Sequence, residues 1–187
     1  MNKKTVALTK EQYIEIIKTI KQGFLTCRPN QKVSMALILE ANIGVRISDI
    51  IKLTLNSFIK DGNRYRLDIV EQKTGKKRTF TVPNELMQYI QQYCIDHRIK
   101  SNEIIIPLTE RAIQKHLKQA CDYLGYKGIS THSFRKFFAT NIYINNGYDI
   151  VLVQHLLQHS STSNTQKYIG IGTEQLEKAI QNNLNLL

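Results

Sequence analysis

The segment F-I-K-D-G-N-R-Y-R-L-D-I-V-E-Q-K-T-G-K-K-R-T-F-T-V-P, residues 58–83, narrows the possible architectures more than any other. Its apolar residues alternate with polar ones, whereas those on either side recur every three to four positions. Turn signals at Asp61-Gly62 and Thr74-Gly75 cut it into three pieces and Pro83 ends it, so the spacing predicts a small three-stranded antiparallel sheet. The flanks read as helix. Thr9 and Gln12 have the form of a capping box, after which Tyr13, Ile16, Ile17 and Ile20 share one face. A second helix is expected from Lys32 to Asn42, stopped at Gly44, with a short one near Arg46, which places Arg46 at a helix junction. Further helices are expected at 84–97, 109–124, 133–145, 150–157 and 164–168, and a terminal one after Gly170 and Gly172. The fold class is therefore α+β and mostly α-helical. Residues 1–187 show no repeat, low-complexity tract or linker that would divide them.

A chain of 187 residues fits one domain and can bury a substantial core. The cysteines Cys27, Cys94 and Cys121 are odd in number and far apart, which suggests neither a disulfide framework nor a zinc cluster and points to a reducing compartment. No apolar run nears the ~18 residues of a membrane span, and the first ten residues lack the apolar stretch of a signal peptide. A cytoplasmic protein with no membrane partner is expected. The net charge of +11 favours a polyanionic partner, nucleic acid ahead of an anionic membrane. The basic residues gather at Lys73, Lys76, Lys77 and Arg78 and again at His132, Arg135 and Lys136. Either group, taken alone, could be a solvated face.

The second group raises a sharper question, because T-H-S-F-R-K-F-F-A-T sets His132 and Arg135 three apart among phenylalanines that belong in a core. Four other pieces accompany it: G-V-R-I-S-D, K-T-G-K-K-R, L-L-Q-H-S-S and T-Q-K-Y. In this order, with a tyrosine nine residues after the histidine of L-L-Q-H-S-S, they resemble the catalytic domain of the tyrosine recombinases, or phage integrases, over roughly residues 8 to 180. The resemblance implies a mostly helical domain with a small sheet that breaks and rejoins double-stranded DNA through a covalent 3′-phosphotyrosine.

The chemistry accounts for these residue types. Attack on a phosphodiester builds negative charge on its non-bridging oxygens, and preorganised cationic donors hold that charge, arginine best because its planar fork serves two oxygens. Arg46 and Arg135 match the family's two arginines and His159 a further donor to the same phosphate. Tyr168 matches the nucleophile; its phenol must lose a proton, and His132 matches the general acid/base residue. Lys73 matches the general acid that protonates the departing 5′ oxygen, with Lys76 and Lys77 as neighbours open to the same assignment. Asp49 matches an acidic position that braces the site, though Arg46 and Asp49 alone would read as an ordinary i,i+3 ion pair. Lys76, Lys77, Arg78 and Lys136 are expected to face DNA. No metal and no cofactor are implied, since arginines take the metals' part and the phosphotyrosine conserves the ester's energy. His155 competes with His159 but falls in an apolar helix and reads as structural.

Two positions depart from the family pattern: Lys136 stands where a histidine is usual, and Gln158 where a glycine is usual. The N-terminal core-binding domain common in the family has no counterpart in these residues, so the chain is expected to be either the catalytic piece of a longer protein or kin to single-domain members such as fimbrial phase-switch invertases, the second favoured by Met1. Leu176, Ala179, Ile180 and Leu184 form an apolar stripe in residues 173–187, which by the resemblance would dock on a neighbour and link a homotetramer on DNA. Accessory DNA-bending proteins, the target sequence, and the choice among integration, excision and inversion stay open. The rival readings are a type IB topoisomerase-like enzyme and a non-catalytic DNA-binding protein.

Overall fold

The structure, a computed structural model, describes residues 5–25, 27–72, 75, 77–169 and 181. The chain opens with α1 (Lys10–Gln22) and α2 (Gln31–Ile43), followed by the single turn α3 (Ile47–Ile50) and a 3-10 turn at Leu55–Ser57. Strands β1 (Phe58–Asp61), β2 (Arg64–Val70) and β3 (Lys77–Val82) come next, then α4 (Asn84–Asp96), α5 (Glu110–Tyr123), α6 (Thr131–Asn145), α7 (Ile150–Leu157) and α8 (Thr162–Ile169). The order matches the expected α+β pattern, and the strands pair antiparallel in the order β1-β2-β3. Lys73, Thr74, Lys76 and the apolar stripe of Leu176, Ala179, Ile180 and Leu184 lie outside the described residues.

Local chemistry sets the helix ends. The Thr9 side chain accepts from Gln12 N at 3.2 Å, and the Gln12 side chain accepts from Thr9 N at 3.0 Å, closing the predicted capping box. Helix α6 begins two residues earlier than the periodicity suggested, because Ser130 and Ser133 form a reciprocal cap, with Ser130 N donating to Ser133 Oγ at 3.1 Å. His132 and Arg135 therefore both fall in its first turns. Gly44 takes the left-handed conformation, φ +62°, that terminates α2.

Helix α2 is apolar nearly all round and forms the centre of the core, in contact with α1, α3, α5 and α6. Tyr13 of α1 stacks on Phe137 with ring centroids 5.0 Å apart and meets Phe134 edge-on at 6.1 Å. Phe134 is fully buried, worth on the order of 2–3 kcal/mol, and it anchors the helix that carries His132 and Arg135. A smaller cluster, Ala139, Tyr143, Val153, Leu157 and Ile169, joins α6, α7 and α8. The sheet turns Phe58, Leu67 and Val82 inward.

Candidate active site

Gly44 turns the chain out of α2, and Arg46 follows in extended conformation as the N-cap of α3. Its Nη1 donates to Glu71 Oε2, and its side chain keeps 18% of its exposure. The partner is thus not Asp49, three residues on. Asp49 is buried and its Oδ1 accepts from Gln72 N at 2.9 Å, tying α3 to the residue that precedes Lys73 in the chain.

Arg78 requires a correction. Expected on a DNA-facing run, it is buried, with its Nη1 donating to Glu71 Oε1 at 3.0 Å and its Nη2 to the carbonyl of Leu156. Strand parity gives the reason: Arg78 shares the inner face of β3 with Phe80 and Val82, and the guanidinium lies 4.9 Å from the Phe80 ring centroid. Lys77, one residue earlier, faces out and is exposed. Glu71 went unnoticed in the sequence although the same rule marks it, since it continues the inward series Leu67, Ile69 on the β2 side.

Arg135, only 2% exposed, donates from Nη2 to the carbonyl of Leu157 at 3.3 Å, while Nη1 has no hydrogen-bond partner among the described residues. Burial lowers its pKa; Tyr168 opposes that shift, and Arg46 and Arg78 add to it. His132, one turn earlier on α6, is exposed instead and lines a cavity of about 440 Å³ with Arg46, Gln72, Glu110, Gln114 and Thr131. A larger cavity, about 600 Å³, opens beside α5 and holds none of the arginines singled out above.

Helix α7 ends at Gln158 in the left-handed conformation, φ +54°, a strained place for a residue with a side chain and the position where the family pattern has glycine. The turn delivers His159, whose Nδ1 lies 3.1 Å from Thr165 Oγ1 and whose ring meets Tyr168 edge-on at 5.1 Å. Burial lowers the His159 pKa, with Arg135 and Arg46 adding and Glu71 opposing. His155 is exposed on α7 rather than packed in the core. The Tyr168 hydroxyl is buried and faces the Arg135 guanidinium. Burial pushes its pKa up to about 12, against the pull of Arg135 and Arg46 and with some help from Glu40. Lys136 lies over the same ring at 5.3 Å and donates to the Thr5 carbonyl at 2.6 Å.

Glu40 was also missed. It is a lone carboxyl in an apolar run, 0% exposed on α2, and burial raises its pKa well above the ordinary value despite the neighbouring Arg135. Among the described residues no group of three His, Cys, Asp or Glu side chains is placed to hold a metal ion, and no helix is long and apolar enough to cross a membrane.

Arg46, Arg135, His159 and Tyr168 thus converge from α3, α6 and α8 and the turn after α7, with the Arg46 and Arg135 guanidiniums beside the phenol. Such a site suits an anionic ester beside a phenol. Residues 7–174 match the phage integrase family. A probable integrase/recombinase of Bacillus subtilis (strain 168), YoeC, is 33% identical over 174 residues, spanning 89% of this chain and 91% of that protein. Tyrosine recombinase XerA of Pyrococcus furiosus is 28% identical over 94% of this chain, which spans 60% of XerA. The fold is shared with XerH recombinase in a post-cleavage complex on difH substrate, TM-score 0.71 and 20% identity over 96% of this chain and 54% of that one. It is shared likewise with the catalytic domain of bacteriophage HP1 integrase, TM-score 0.66 and 19% identity over 96% of each chain. The chain belongs to the phage integrase family, the tyrosine-type site-specific recombinases.

Proposed function

We propose that this chain cleaves and rejoins duplex DNA at a specific site, with Tyr168 as the nucleophile. The phenolic oxygen forms a bond to the scissile phosphorus, the bond to the 5′ oxygen breaks, and a 3′-phosphotyrosine results. Arg46, Arg135 and His159 hold the charge that develops on the non-bridging oxygens. With its pKa near 12, Tyr168 is protonated before DNA binds and needs an acceptor as it attacks. His132, exposed at the mouth of the cavity it shares with Arg46, takes that proton directly or through the phosphate. Lys73 supplies a proton to the departing 5′ oxygen. Asp49 braces α3 against the base of the hairpin.

One observation carries this reading: the Tyr168 ring meets the His159 ring edge-on at 5.1 Å, and Arg135, 33 positions before Tyr168 in sequence, donates to the carbonyl of Leu157 at the end of the helix whose turn delivers that histidine. DNA as partner follows from the net charge of +11 and from relatives solved on DNA, XerH among them. Residues 173–187 are assigned to docking on a neighbouring protomer in a tetrameric synapse.

The decisive experiment offers a nicked half-site of the cognate DNA and looks for an adduct that survives denaturation. The wild type forms it and Tyr168→Phe does not. Tight binding without an adduct would make the chain a binding module, and adducts on arbitrary duplex would make it topoisomerase-like.

A further inference from the structure

Two buried groups of opposite charge, Glu71 and Arg78, stand between the reacting elements and take no part in the chemistry proposed above. The two Glu71 oxygens accept from different guanidiniums, Oε2 from Arg46 and Oε1 from Arg78 at 3.0 Å. Arg78 spends its other nitrogen, Nη2, on the carbonyl of Leu156, and Arg135 reaches the next carbonyl, Leu157, at 3.3 Å. Those two leucines close α7, and the chain then turns at Gln158 straight into His159. Gln158 is itself held, its Nε2 donating to Lys77 O at 3.0 Å. Successive residues of β3 therefore grip the end of α7, one through its carbonyl and the next through its guanidinium.

Carbonyls at a helix C-terminus lack intrahelical partners and carry partial negative charge, so a guanidinium suits them. A buried ion pair adds little net stability, because removing each ion from water costs several kcal/mol. Fully bonded groups instead restrict orientation. A carboxylate held by a different guanidinium at each oxygen cannot rotate without breaking one contact. Arg46 gives Nη1 to Glu71, and its guanidinium carries further N–H donors that suit an anion.

We propose that Glu71 and Arg78 are positioning residues, a buried strut that fixes the Arg46 guanidinium at one end and the C-terminal turn of α7, with His159, at the other. This inference rests on the roles given to Arg46 and His159 in the proposed function.

Glu71→Gln, which keeps the shape and removes the charge, tests it. Affinity for cognate DNA stays within about twofold, while the single-turnover rate of adduct formation at saturating protein falls on the order of 10²-fold, the scale of an ångström-sized misplacement. Arg78→Lys, which keeps the charge and loses the fork, shifts the His159 ring resonances in an NMR spectrum of the DNA-free protein, whereas Glu85→Gln, at an exposed position of α4, leaves them in place. If Glu71→Gln does not fold, the neutral pair Glu71→Gln/Arg78→Met replaces it, since removing both charges avoids an unpaired buried ion. A wild-type cleavage rate in either variant overturns the strut, as does a loss of rate matched by loss of affinity. Should the wild type itself form no adduct, the proposed function fails, and unmoved His159 resonances in Arg78→Lys would still overturn the strut on their own.

Discussion

Gly44→Ala strikes the point where the two arginine-bearing elements meet. A Cβ built on Gly44 would lie 2.3 Å from Cδ1 and 2.4 Å from Cε1 of Phe138, far inside contact distance, and the backbone there has φ +62°. Two costs add. A non-glycine residue in the left-handed region is penalised by roughly 1–2 kcal/mol, and forcing extra volume into a packed contact typically costs about 1–3 kcal/mol. A total of about 3 kcal/mol corresponds, at roughly 2–4 °C per kcal/mol for a chain of this size, to a melting temperature about 6–12 °C lower. Gly62→Ala is the internal control: φ is +61° but nothing lies within 4 Å, so only the backbone cost of about 1–2 kcal/mol remains. The clash also bears on chemistry, because Phe138 lies one turn beyond Arg135 on α6 and Gly44 two residues before Arg46. Thermal unfolding followed by far-ultraviolet circular dichroism measures both variants, with adduct formation scored in parallel. If Gly44→Ala melts within about 1 °C of Gly62→Ala, the close approach of α2 and α6 does not govern this position and the reasoning fails.

Glu40→Gln is expected to change stability in a pH-dependent way. Burial raises the folded-state pKa of Glu40 above its unfolded value, so the stability linked to its proton is fully present below the unfolded pKa and lost as pH rises through the folded one. The variant should out-melt the wild type near pH 8, with the gap closing toward about pH 4; a gap independent of pH would refute the assignment. Thr165→Val removes the hydroxyl 3.1 Å from His159 Nδ1, and the loss of one buried hydrogen bond predicts about a tenfold slower adduct formation with DNA binding unchanged. Equal losses in rate and affinity would count against it. For exposed Lys77, Lys77→Ala should lower the salt dependence of DNA binding by about one unit of log–log slope. An unchanged slope, measured by anisotropy across a salt series, would remove Lys77 from the DNA-facing surface.

Much of the candidate site is legible in the sequence, though unevenly. Arg46, His132, Arg135, His159 and Tyr168 sit in short motifs whose order carries the family pattern. Arg78 and Glu71 were legible in principle, because alternation along β3 and β2 sends both inward, but a run of basic residues reads first as a surface. Glu40 gave only a weak sign, one carboxyl in an apolar helix, and nothing local said that it would face Arg135.

The sequence by itself determined the elements and their limits: the capping box at Thr9 and Gln12, the left-handed stop at Gly44, and the switch to period two after Phe58. Each depends on contacts within a few residues, which the order of side chains dictates directly. Tertiary structure alone decided that Arg46 pairs with Glu71, 25 positions on, rather than with Asp49, and that Arg135 is buried while His132 one turn away is exposed. It likewise set the Tyr168 pKa near 12. Those outcomes turn on which charges come together out of water, and that depends on how the helices and the sheet pack, not on any spacing along the chain.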